Sequence, residues 1–145
     1  MHKLLAIFRK LSESVWIAIA WTLIIFILLV IPQDTIPEEE MFDISDFDKI
    51  VHCVLFGFFL WFWANWYAAK KAPYQTGSQF IIAILLITVA YGIGMEYYQR
   101  YFTSRDFDSG DIIADTLGAI VAALLFWFAY RKKISPYRNR GRNQN

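Results

Sequence analysis

Four apolar blocks, at residues 15–31, 47–69, 80–98 and 111–130, dominate the pattern along the chain, and polar intervals separate them. Each block is read as a helix crossing a membrane, because about 20 apolar residues at ~1.5 Å rise match the hydrocarbon thickness of a bilayer. The first block is at the lower length limit for crossing; Thr22 is its only polar member besides Trp, and Pro32 ends it. A cleaved signal peptide is the competing reading of this block. Ile31-Pro32-Gln33-Asp34 lacks the small residues that a cleavage site needs, so the block is kept as an uncleaved first span.

The intervals carry their own signals. Residues 1–14 place Lys3, Arg9 and Lys10 among Leu4, Leu5, Ile7, Phe8 and Leu11, the pattern of a basic amphipathic helix lying on a membrane surface. The interval before the second block is acidic from Asp34 to Asp48 and contains no Lys or Arg, and Ser45 can cap the helix that follows. Trp61, Trp63, Trp66 and Tyr67 precede Lys70 and Lys71, and Trp127, Phe128 and Tyr130 precede Arg131, so both sets are assigned to the headgroup level. Gly92 and Gly94 allow close packing or a bend in the third span. A polar loop at 99–110 follows, with Ser109 placed to cap the fourth span. Residues 134–145 form a basic tail too polar to build a core, expected to be disordered beyond Tyr137.

Composition agrees with the block pattern. Of 145 residues, 57% are hydrophobic and 19% aromatic, which is too apolar for an ordinary soluble domain. Cys53, the single cysteine, can close neither an internal disulfide nor a thiolate metal cluster. The expected fold is therefore all-α: one polytopic domain over residues 1–133, built as a four-transmembrane-helix bundle.

Charge then orients it. Four crossings put both termini and the Lys70–Lys71 turn on one side, and that side receives all 14 Lys and Arg residues except Lys49, Arg100 and Arg105. Of the acids, Glu13 alone joins them. The positive-inside rule places both termini in the cytoplasm.

This topology gathers polar residues at the outer face. Asp48 and His52 share a helical face at the start of the second span, with Lys49 beside it, and Asp111 and Asp115 repeat that spacing in the fourth. Gly92, Glu96 and Gln99 form a stripe in the third, and Gly118 and Ala122 continue the fourth-span stripe as a small-residue face. Glu96 and Asp115 lie about one turn inside apolar blocks, where an ionisable group has to be paired or protonated. Taken singly, the residues have plainer readings: Asp48 and Asp111 as first-turn acids, His52 as a structural histidine, Arg105 as part of a loop ion-pair network with Asp106 and Asp108.

The series Asp48-Lys49-x-x-His52, Glu96-x-x-Gln99, Arg105, Asp108, Asp111 and Asp115-x-x-Gly118 resembles the VanZ-like family of small bacterial membrane proteins. The resemblance covers about half of the chain. It implies a multi-pass protein of the bacterial cytoplasmic (inner) membrane, in a family whose founding member is linked to low-level teicoplanin resistance. Asp115 departs from it, because many members carry Asn there.

Several chemistries fit the cluster. His52, Glu96 and Asp111 are the catalytic candidates, with His52 as general acid or base; Asp48, Lys49, Gln99, Arg105, Asp108 and Asp115 are the binding candidates. His52, Glu96, Asp111 and Asp115 are of the right type for a divalent metal such as Zn²⁺, Mn²⁺ or Mg²⁺, which the site admits without requiring. Lys49 and Arg105 suit a phosphate of a lipid or lipid-linked cell-envelope precursor. Ser104 and Ser109 lie in the loop and Cys53 faces away from His52, so a hydrolase would use activated water. The alternatives are a binding protein without chemistry, a non-catalytic structural or accessory membrane protein, and a small proton-linked transporter relaying through Glu96 and His52. The bilayer is the expected partner, with oligomerisation open; the Arg-rich tail is matched to anionic lipid and no nucleic-acid partner is expected.

Overall fold

A computed structural model describes residues 10–31, 47–70, 78–103 and 105–142, with side chains as far as Tyr130. The surface helix at 1–14, the acidic interval, the Ser45 cap and most of the turn before the third span fall largely outside the described residues. Within them the chain is all-helical. The helices are α1 (Val15–Val30), α2 (Phe47–Lys70), α3 (Ser78–Phe102) and α4 (Ser109–Arg142).

Three helices are long and apolar enough to cross a membrane: α2, α3 and the Ser109–Tyr130 part of α4. The fourth, α1, is a shorter apolar helix. Ile31 closes it in extended conformation, φ −62° and ψ 123°, as the residue before a proline must.

Two boundaries differ from the apolar blocks. Helix α3 continues to Phe102, past the expected exit at Tyr98, because Gln99 is buried against a neighbour and the polar loop shrinks accordingly. Helix α4 runs on as helix to Arg142, beyond Tyr130. Composition predicts disorder beyond Tyr137; the helix continues there instead, because its backbone hydrogen bonds are internal and need no core.

The bundle is polar within and apolar without at one end. Buried positions recur at helical spacing on α2 (His52, Leu55, Phe56, Phe59), on α3 (Thr88, Gly92, Met95, Glu96, Gln99) and on α4 (Asp111, Ala114, Asp115, Ala119, Ala122). Leu23, Ile27, Leu86, Ile87, Leu125 and Phe128 point outward instead, each more than half exposed. Apolar outer faces on several helices are what a lipid solvent favours.

The most extensive interface joins α2 and α4. It is backbone against backbone: a Cβ at Gly118 would overlap the Cys53 carbonyl, and one at Gly57 would sit 3.2 Å from the Gly118 oxygen. The small-residue face read from Gly118 and Ala122 is therefore the contact that brings α2 and α4 together. Gly92 does similar work on α3, since a Cβ there would lie 2.6 Å from Asp115 Oδ2. Gly94 has nothing within 4 Å and marks neither a contact nor a break in α3.

Helix α1 is pinned by hydrogen bonds as well as packing. The Trp21 indole donates to the Leu55 carbonyl (2.9 Å), the Trp63 indole to the Thr22 hydroxyl (3.1 Å) and the Tyr91 hydroxyl to the Thr22 carbonyl (3.2 Å). Trp63, assigned to the headgroup level from its neighbours, is half-buried and turns its N–H to a hydroxyl on α1. At the other end of α1, the Gln99 amide donates to the Leu29 carbonyl at 3.0 Å, meeting one of the acceptors that a helix terminus leaves open.

Candidate functional site

The start of α2, the end of α3 and the start of α4 meet at one end of the bundle. Helix α4 begins where Asp108 accepts the Gly110 N–H on its side chain (2.7 Å) and the Asp111 N–H on its carbonyl (3.1 Å). Asp108, not Ser109, is therefore the cap: its carboxylate reaches the second helical N–H, the geometry that an N-cap acid provides. Gly110 permits this turn, because a Cβ there would lie 2.7 Å from the Lys49 side chain.

Four ionisable side chains lie beneath that cap. His52, Glu96, Asp111 and Asp115 are each no more than 3% exposed. His52 Nδ1 is 3.0 Å from Asp115 Oδ1, and His52 Nε2 is 3.6 Å from Asp111 Oδ2. Glu96 Oε2 accepts the backbone N–H of Asp108 at 3.1 Å, which ties the loop to α3. Facing Phe56, the imidazole stacks with ring centroids 6.4 Å apart.

The cluster is incompletely satisfied. Among the described residues, His52 Nε2, Glu96 Oε1, Asp111 Oδ1 and Asp115 Oδ2 are buried without a hydrogen-bond partner. Leaving a buried polar group unpaired costs about 1–3 kcal/mol, and more for a charge. Four such atoms gather in one place, where buried polar groups are as a rule hydrogen-bonded.

A rim of opposite charges surrounds it. The Lys49 ammonium is 3.2 Å from Asp108 Oδ2, and Arg105 Nη2 is 3.9 Å from Asp48 Oδ2. Both pairs are partly exposed. The Gly110 N–H and the Lys49 ammonium hold the Asp108 carboxyl below its ordinary pKa. The loop is held by Thr103, whose hydroxyl donates to the Gln99 carbonyl (2.7 Å) and accepts the Arg105 N–H (3.2 Å). Phe107 packs on Tyr97, with ring centroids 5.6 Å apart.

The expected site residues thus separate into groups. His52, Glu96, Asp111 and Asp115 come together as one buried cluster; Asp48, Lys49, Arg105 and Asp108 form the rim. Gln99 has a structural task, its amide on the end of α1. The ion pairs differ from the loop-internal network considered for Arg105, since its partner is Asp48 on α2. Thr103 carries a weaker signal in the sequence, a threonine two residues before Arg105, the spacing of a side-chain turn. Cys53 is half-buried, and its carbonyl meets Gly118.

One metal-compatible set emerges from this geometry: a single donor atom each from His52, Glu96 and Asp111, all within 4.8 Å of one another. Two polar side chains deeper in the bundle bond within their own helix, whereas Trp61 Nε1 is buried without a hydrogen-bond partner among the described residues. Thr88 donates to the Ile84 carbonyl and Asn65 to the Trp61 carbonyl, each within its own helix.

Comparison with known proteins places the chain by sequence. The family model described as VanZ/LLP1 matches residues 4–130. An uncharacterized protein of Schizosaccharomyces pombe is 30% identical over 120 residues, which is 80% of this chain and 68% of that protein. The resemblance therefore reaches beyond bacteria. No solved structure matches the chain.

Proposed function

The chain belongs to the VanZ/LLP1 family, and from that membership and the buried polar cluster we propose that it binds the headgroup of a lipid or lipid-linked precursor within a membrane. The observation that carries this reading is the pair of rim cations, Lys49 and Arg105, each held only by a partly exposed carboxylate above the buried cluster of His52, Glu96, Asp111 and Asp115. Exposed ion pairs of this kind hold together by at most about 1 kcal/mol. A phosphate can displace the carboxylate partners and take both cations.

The reading includes a topology. Helix α1 joins α2, α3 and α4 as a fourth crossing, both termini lie on the cytoplasmic side, and the cluster faces outward. The bias of Lys and Arg supports that orientation. Bacterial cytoplasmic membrane and cell-envelope precursor are its narrower form, with teicoplanin-type resistance the narrowest. A relative in Schizosaccharomyces pombe favours the broader one, a lipid phosphate.

A proton-linked transporter is disfavoured by the other half of the bundle. There Leu60, Ala64, Ile84, Ala122, Ala123 and Phe126 pack as an apolar cluster, which offers a proton or ion no polar path.

The reading is tested in cells lacking the protein and complemented with H52A, E96Q or R105A, each checked for membrane insertion. Loss of tolerance to envelope-directed antibiotics in inserted variants is the expected outcome. Wild-type tolerance in all three would leave a structural or accessory role.

A further inference from the structure

We propose that His52, Glu96 and Asp111 bind one divalent metal ion, with Asp115 orienting the imidazole from behind; the proposal rests on reading this cluster as a ligand site but not on the lipid chosen for it.

The argument starts with the ring nitrogens of His52. Nδ1 lies 3.0 Å from Asp115 Oδ1, a hydrogen-bond distance, so an ionised Asp115 places the proton on Nδ1. The Nε2 lone pair then faces Asp111 Oδ2 at 3.6 Å, and a Glu96 carboxylate oxygen belongs to the same set, whose three donor atoms lie within 4.8 Å of one another. Three electron-rich groups this close, on residues 1–3% exposed, repel unless a carboxyl takes up a proton or a cation lies between them, and a metal ion meets all three at once. A proton on Nε2 would answer this less well: 3.6 Å is too long for a hydrogen bond to Asp111, and Glu96 Oε1 would stay unpaired.

No cationic side chain among the described residues takes that place. Lys49 is engaged with Asp108 and Arg105 faces Asp48, both at the rim. His52 is 2% exposed and aims an unpartnered nitrogen into the cluster, which separates this arrangement from a patch of surface acids. Its carboxylate–imidazole pairing through Asp115 is the arrangement that metal-ligating histidines use to fix their tautomer.

Donor type narrows the ion. One imidazole nitrogen with two carboxylates suits Zn²⁺ or Mn²⁺, whereas Ca²⁺ prefers all-oxygen sets and Cu⁺ prefers sulfur. Bond lengths of about 2.1 Å set ligand atoms roughly 3.0–4.2 Å apart, so a spread of 4.8 Å closes by small side-chain rotations. Three ligands from three helices leave further positions for water or a phosphate oxygen, which joins the metal to the rim cations.

The full-length protein, purified in detergent with its tag removed and stripped by chelator, is titrated with Zn²⁺ and Mn²⁺ by calorimetry. One equivalent should bind per chain. H52A, E96Q and D111N should each weaken binding 100-fold or more, and D106N, on the exposed loop, should not. D115A should weaken it 10- to 100-fold, with recovery in D115N, whose amide oxygen can accept the same Nδ1–H. E96Q and D111N preserve size, and circular dichroism confirms their helix content. Wild-type protein that binds neither ion stoichiometrically overturns the proposal without recourse to any variant; equal affinity in H52A, E96Q and D111N also overturns it. Lipid-phosphate binding by wild type that takes up neither ion would sink the metal site alone, whereas stoichiometric metal without lipid binding would sink the headgroup reading alone.

Discussion

His52 on α2 and Asp115 on α4 meet at 3.0 Å across a helix interface with no room for a side chain at Gly118. The two facts depend on each other. Close approach of the α2 and α4 backbones, one turn farther along, brings the imidazole within reach of a carboxylate that would otherwise face apolar surroundings.

Replacing Asp115 therefore separates chemistry from volume. D115A leaves the Nδ1–H of His52 buried without an acceptor and should cost about 1–3 kcal/mol. D115N keeps an acceptor oxygen and should cost less. Thermal unfolding in detergent, followed by intrinsic fluorescence, checks the order of the two variants; equal losses would mean that the hydrogen bond contributes nothing.

The glycines make a graded series. G118A drives a methyl into the Cys53 carbonyl and should destabilise by at least 1–3 kcal/mol, because backbone on both sides cannot yield. G94A meets nothing within 4 Å and should be neutral or slightly stabilising, through helix propensity. G92A presses on the Asp115 carboxylate and should disturb ligand binding more than stability. Unfolding midpoints and binding isotherms of the three variants distinguish these effects.

Topology is tested with single cysteines in a C53A background. Asp106 and Lys70 are exposed, near opposite ends of the bundle. D106C should react with a membrane-impermeant maleimide added to intact cells, and K70C should react only after permeabilisation. The reverse pattern would invert the assigned orientation; reaction of both from one side would contradict the crossing of α3.

Much of this architecture is legible in the pattern of residues, and what is not legible has a common cause. Long apolar runs announce α2, α3 and α4 because a bilayer imposes length and hydropathy together. Glu96 and Asp115 stand out because an ionisable residue inside such a run needs a partner. The identity of the partner does not follow from spacing along one helix. Whether His52 turns to Asp115 or Asp111, and whether Arg105 finds Asp48 or a loop acid, depends on how the helices are rotated and set against each other. The same holds for Gln99, which looks like a site residue by position and instead closes the end of α1. Trp63 follows that pattern: its hydrogen-bond partner, the Thr22 hydroxyl, lies on another helix and is not given by its neighbours in sequence. The α4 cap fell to Asp108 in place of Ser109 because Lys49, from α2, supports the carboxylate there.

The most direct measurement of the central claim is native mass spectrometry of the purified protein released from nanodiscs containing a defined fraction of a phosphate-headed lipid. Wild type should retain one such lipid per chain in preference to a zwitterionic lipid, and retention should fall at least tenfold in R105A and in the H52A/E96Q double variant. Equal retention in wild type and both variants, at matched helix content, would contradict a headgroup site built from these residues.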